Sequence, residues 1–168
     1  DKEVSFFEPH TDIIEKGARE TTFGHKVFIT AGEKLVQDCV IGEGNPRDST
    51  LLPEMIDQHC EMYGRAPTDL ATDSGFASQK NLKYAKSAGI ENVELTRKMP
   101  DALVDLLPIS KVRKALLRFR AGVGGIISAL KRGVGLTRCL WSGWESFQAY
   151  VWSAICAHNV KMLTRELV

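Results

Sequence analysis

The stretch Leu70-Ala71-Thr72-Asp73-Ser74-Gly75 is a short apolar run that ends on a carboxylate and a turn. It reads as a buried strand with Asp73 at its carboxyl end, the place where open α/β sheets present ligands and metals. Asp is also a common turn initiator, so Asp73 taken alone reads more readily as the start of the turn. A helical pattern capped by Ser78 and stopped by Gly89 follows, over 78–88, and then a further strand over 92–95. Upstream, KVFIT at 26–30 and LVQDCVI at 35–41 are β-branched, short and joined by Ala31-Gly32-Glu33-Lys34, a hairpin pattern. After a GEGNPR loop at 42–47, Asp48 or Ser49 is expected to cap a helix to about Tyr63, with Leu52, Met55, Ile56 and His59 at helical spacing and Gly64 as its stop.

Downstream, 96–110 is a connection punctuated by Pro100 and Pro108. The pattern is then helical over 111–132 despite Gly122, Gly124 and Gly125, where a kink or break is expected. A last helix over 145–167 carries Phe147, Val151, Ala154, Ile155, His158 and Met162 along one side. Residues 1–24, with Pro9 and Gly17, read as irregular. The order predicts one α/β domain over 1–168, a mixed sheet flanked by helices that wants another strand before residue 1.

At 168 residues, 43% hydrophobic and 26% charged, the chain can bury a real core and falls in no disorder class. It shows no secretion signal, and its longest apolar run, over 149–157, is too short to span a membrane. Cys39, Cys60, Cys139 and Cys156 form no C-x-x-C pair, which argues against a zinc ribbon or disulfide framework and for a reduced, cytoplasmic setting. Cys156 and His158 read as core rather than as metal ligands.

The net charge of +1 hides an asymmetry. Residues 1–105 hold 12 Lys/Arg against 19 Asp/Glu, while residues 106–144 hold no acid and eight bases: Lys111, Arg113, Lys114, Arg118, Arg120, Lys131, Arg132 and Arg138. Such a stretch suits contact with a phosphate backbone, and equally a solvated helix face. On one helix Arg120, Gly124 and Lys131, spaced by four and seven, share a side.

At this spacing the chain resembles the bacterial insertion-sequence transposases of the Asp-Asp-Glu class that carry a Tyr-Arg-Glu-Lys signature. The matching positions are Leu117, Arg120, Gly124 and Lys131, within LLRFRAG at 116–122, Ala129-Leu130-Lys131-Arg132, Gly135-Leu136-Thr137-Arg138-Cys139, and Phe147 onward to Ala157-His158-Asn159. Phe7-Glu8-Pro9-His10-Thr11-Asp12, Gly24-His25-Lys26-Val27, Glu43-Gly44-Asn45-Pro46 and Asp73-Ser74-Gly75-Phe76-Ala77-Ser78 match in order as well. The resemblance covers nearly the whole chain and implies a ribonuclease-H-like catalytic core. It makes Asp73 the second catalytic acid and a metal ligand, and it implies Mg2+ or Mn2+ as cofactor. Transposon-end DNA is the implied partner, with a homodimer acting on paired ends.

In that family three carboxylates hold two cations for in-line phosphoryl transfer. The first Asp is expected upstream of Asp1, and the family's Glu falls on Gly124, so the chain as it stands is expected to be inactive or nearly so. Asp38 and Glu145 are poor substitutes: the first matches an ordinary strand position, and the second lies off the Arg120 face. Arg113, Arg118, Arg120, Lys131, Arg132 and Arg138 are the expected DNA contacts. Trp141, Trp144 and Trp152 are candidates for base stacking, with the core preferred for Trp152. The competing readings are a DNA-binding relic and a non-catalytic interaction module.

Overall fold

The computed structural model describes residues 8–14, 21–96 and 100–167. Phe7, Gly17 and residues 97–99 of the 96–110 connection, on which parts of the sequence reading rest, lie outside the described residues. The chain forms two compact units, residues 1–46 with 125–168 and residues 47–124. The long helix α3 (Ser110–Gly133) contributes to both. The mixed α/β architecture agrees with the expectation, although among the described residues the strands pair as three two-stranded sheets rather than one.

The first unit holds two antiparallel hairpins. Strands β1 (Asp12–Ile14) and β2 (Thr22–Gly24) pair within the segment expected to be irregular, so that expectation is corrected. With only three residues each, they are too short to show an alternating pattern. Strands β3 (Val27–Ala31) and β4 (Val36–Ile41) form the expected hairpin, with a register shift at Thr30/Ala31.

Helix α4 (Trp144–Glu166) lies on β4. Its Val151 and Ile155 join Val36, Cys39, Ile126 and Leu130 in this unit's core. Polar bonds fix the contact: the Asn159 side chain accepts from Val36 N at 2.9 Å and donates to Val36 O at 2.8 Å, and buried His158 bonds Lys34 O at 3.1 Å. The two Asn159 bonds satisfy both backbone groups of Val36 at the start of β4.

The second unit is built on a parallel pair, β5 (Asp69–Ala71) with β6 (Asn92–Glu94), connected through α2 (Gln79–Ser87). Ser78 caps α2 as expected, accepting from Asn81 N at 3.0 Å. Helix α1 (Asp48–Tyr63) begins at Asp48, after Arg47 at the capping position and without a side-chain cap, which corrects the expected Asp48 or Ser49 cap. Asp48 instead sits in the first turn, where its charge complements the helix dipole. Gly64 closes α1 in the left-handed conformation at φ 68°.

Pro53 lies inside α1 and cannot donate to the carbonyl of Ser49. The buried side chain of Asn81 supplies the missing donor to Ser49 O at 2.8 Å and also donates to Phe76 O at 2.7 Å. Leu52, Ile56, Leu82, Ala85, Ile90, Val93, Leu95 and Leu103 make this unit's core. The hydrogen-bonded helix α3 runs through Gly122, Gly124 and Gly125, so the break expected there is absent.

Candidate active site

Strand β5 delivers Asp73 just beyond its carboxyl end. The parallel register pairs Ala71 with Glu94, and Thr72 N donates to Glu94 O at 2.9 Å. Asp73 then opens a short 3-10 turn (Ser74–Phe76), its Oδ1 accepting from Ser74 N at 3.1 Å. The turn-initiating role therefore holds. A Cβ at Gly75 would collide with an Asp48 carboxylate oxygen, so a larger residue here would make the Asp48 side chain shift.

The same Oδ1 accepts from Arg120 Nη1 at 2.7 Å. The Asp73 side chain is 73% exposed and that of Arg120 35%. Seven residues earlier on α3, Arg113 Nε donates at 2.7 Å to Oε2 of Glu94, whose side chain is only 2% exposed. Residues seven apart share a helix face. Two arginines on α3 thus each take one carboxylate from the carboxyl ends of the two parallel strands.

The loop after β6 is tied in at the same place. Thr96 N donates to Glu94 Oε1 at 2.9 Å, and Thr96 Oγ1 donates to Thr72 O at 2.7 Å. Thr96 has φ 50°, a left-handed conformation that is costly for a β-branched residue. Such backbone persists only where its surroundings over-determine it, and it clusters at functional sites.

Gly124, one helical turn beyond Arg120, is exposed, and a Cβ there would meet nothing within 4 Å. Arg118 is also exposed on α3. In the first unit Lys131, Arg132 and Arg138 are exposed, with Arg132 bonded to Ser128 one turn back. Asp38 accepts from Cys39 N at 2.8 Å within β4, and Glu145 is exposed in the first turn of α4. Cys156 is exposed while His158 is buried on a backbone carbonyl, so the two do not converge on a metal.

Trp152, expected in the core, is 45% exposed. It lies about 100° round α4 from buried Val151, off the face that Ala154, Ile155 and His158 bury. Trp141 is exposed with its edge on Tyr150, and Trp144 packs against His25 and Phe147.

A divalent ion of the magnesium kind needs an oxygen-rich set of ligands. Asp73 offers one carboxylate, and a guanidinium already sits on it. No group of three or more His, Cys, Asp or Glu that could hold a metal occurs among the described residues. The residues present therefore do not fit the cation pair implied for the family. What the site offers instead is positive: Arg120 retains a buried Nε with no hydrogen-bond partner among the described residues.

Glu94 escaped the sequence reading. The available signal was a carboxylate inside the strand Asn92–Leu95, since a buried carboxylate requires a cation and Arg113 supplies it.

A family model described as a transposase DDE domain matches residues 6–160. Neither the curated proteins nor the solved structures contain a match to the chain.

Proposed function

The chain belongs to the transposase DDE domain family, and from that membership we propose that it is a transposase-type core that engages DNA around Asp73 and carries Gly124 where the family has its Glu. The observation that carries this reading is the Asp73–Arg120 pair at the carboxyl end of β5, with Gly124 one turn further along α3. The finer reading is a bacterial insertion-sequence enzyme with a ribonuclease-H-like core and a Tyr-Arg-Glu-Lys-type signature, acting as a homodimer on transposon ends. Its support is the ordered motif match and the parallel β5–β6 pair with its carboxylates at the carboxyl ends.

Divalent metal is general in the family, with Mg2+ or Mn2+ the ions proposed for its site. Since this chain's residues do not complete such a site, no step is assigned to a metal here. Arg120 and Arg118 in the second unit, and Lys131, Arg132 and Arg138 in the first, are the proposed phosphate contacts. Arg113 is partly occupied by Glu94 and serves chiefly to position α3 against the strand ends. The exposed, acid-free basic run over 106–144 favours DNA binding over a purely structural module.

The test combines two assays on the 168-residue chain. Duplex binding followed by anisotropy across a salt series is expected to weaken steeply with salt. Nicking of supercoiled DNA with Mg2+ or Mn2+ is expected not to exceed that of the Asp73→Asn variant. Absent or salt-independent binding overturns the DNA reading, and Asp73-dependent nicking overturns the claim that Gly124 disables the site.

A further inference from the structure

Away from Asp73, the first unit contains a chain of four titratable groups. Glu8 Oε2 meets His10 Nε2 at 2.6 Å, His10 Nδ1 meets His25 Nε2 at 2.8 Å, and His25 Nδ1 meets Asp12 Oδ2 at 3.0 Å. The His25 side chain is nearly buried and the two imidazole planes lie within 17° of each other. Each outer carboxylate has donors of its own. Glu8 accepts from Gly143 N at the start of α4, and Asp12 accepts from Gly44 N at 3.1 Å and Asn45 N at 3.4 Å. The Ser142 hydroxyl first, then Gly143 N–H and His10, hold the Glu8 carboxyl below the ordinary carboxylate range.

Hydrogen counting decides the state of the pair. An ionised carboxylate only accepts, so His10 Nε2 and His25 Nδ1 must each carry a hydrogen. A neutral imidazole has one hydrogen, and each ring has now used it. The two remaining nitrogens face each other at 2.8 Å, a hydrogen-bond distance that needs one hydrogen between them. With none, two lone pairs oppose; with two, N–H opposes N–H.

We propose that His10 and His25 hold one added proton between them and act as a pH-dependent clasp that fastens the β1–β2 hairpin to the start of α4. The clasp spans the segments that matter: His10 precedes β1, His25 follows β2, and both rings pack on Trp144, at centroid distances of 5.6 and 4.8 Å. From α4 the His25 ring also meets Phe147, while Glu145 is exposed. Lys26, next to His25, directs its ammonium to Pro46 O at 2.9 Å. Among the described residues, Glu8 and Asp12 bond the pair, one at each end.

A second hydrogen between the rings would set N–H against N–H, and loss of the shared one would set two lone pairs against each other, so the clasp holds only while one hydrogen is shared. None of this depends on the transposase reading.

Long-range 1H–15N NMR of the histidine rings in the intact chain tests it, with assignments from His10→Gln and His25→Gln. At neutral pH the pair is expected to carry three hydrogens on its four ring nitrogens; two or four overturn the proposal. The Trp144 indole N–H resonance is expected to shift on both acidification and alkalinisation. Loss of both shifts in His25→Gln supports the clasp, and their persistence overturns it.

Discussion

Asp73 and Glu94 end adjacent strands, yet their environments differ sharply, and the difference sets what each arginine is worth. Glu94 is buried, so removing Arg113 leaves a charged group out of water without its partner. Arg113→Met is expected to lower the unfolding free energy by about 1.5–3 kcal/mol, the range for hydrogen bonds to charged groups. Asp73 is exposed, and Arg120→Met is expected to cost at most about 1 kcal/mol, as for surface ion pairs. Urea denaturation of the two variants checks the order; an equal loss in both would contradict it. Asp73 was legible from its strand and turn, and Arg120 from its spacing. Their bond was not, because nothing in the spacing says which acid an arginine reaches. Position 124 is proposed through the family resemblance alone, since a glycine in a helix announces no chemistry.

Helix α3 shows how tertiary context overrides propensity. Three glycines within four residues predict a break, each costing about 1 kcal/mol relative to Ala, yet the helix continues. Leu116, Ile126 and Leu130 are buried from opposite sides of the glycine stretch, and that burial outweighs the propensity loss. Gly122 and Gly125 open onto free space, with nothing within 4 Å of an added Cβ. Gly122→Ala and Gly125→Ala are therefore each expected to stabilise by about 0.5–1 kcal/mol, read by thermal or urea unfolding. A loss of stability in either would mean that the glycine serves a contact absent from this conformation. The reverse lesson comes from β1 and β2. Three-residue strands carry too little periodicity to be seen, and long-range bonds reveal them, such as Asn45 Nδ2 to Ile13 O at 3.1 Å.

Across the full chain, charge was the most legible property and unit structure the least. The basic run over 106–144 against a net of −7 over 1–105 is plain in the sequence. The division into two units is not, because each draws its core from elements that pair at long range and α3 enters both. The charge pattern predicts how DNA affinity should respond. Each phosphate contact contributes about 0.9 to the slope of log affinity against log salt. Replacing Lys131 and Arg132 together by Ala is expected to reduce that slope by up to about 2 and to weaken binding alike on unrelated duplexes. An unchanged slope would remove both residues from the interface. No helix among the described residues is long and apolar enough to cross a membrane.

If Asp73 and position 124 are two arms of one cation site, restoring the acid should show it directly. The chain, Gly124→Glu, and Gly124→Glu combined with Asp73→Asn would each be titrated with Mn2+ and followed by electron paramagnetic resonance. A side chain at position 124 starts in open space one turn beyond Arg120, from where a carboxylate can also draw that guanidinium off Asp73. The expected result is weak binding by the chain, at least tenfold tighter binding by Gly124→Glu, and loss of that gain when Asp73 is also changed. Equal binding by all three, or a gain that survives Asp73→Asn, would contradict the assignment of Asp73 and position 124 to a single metal site.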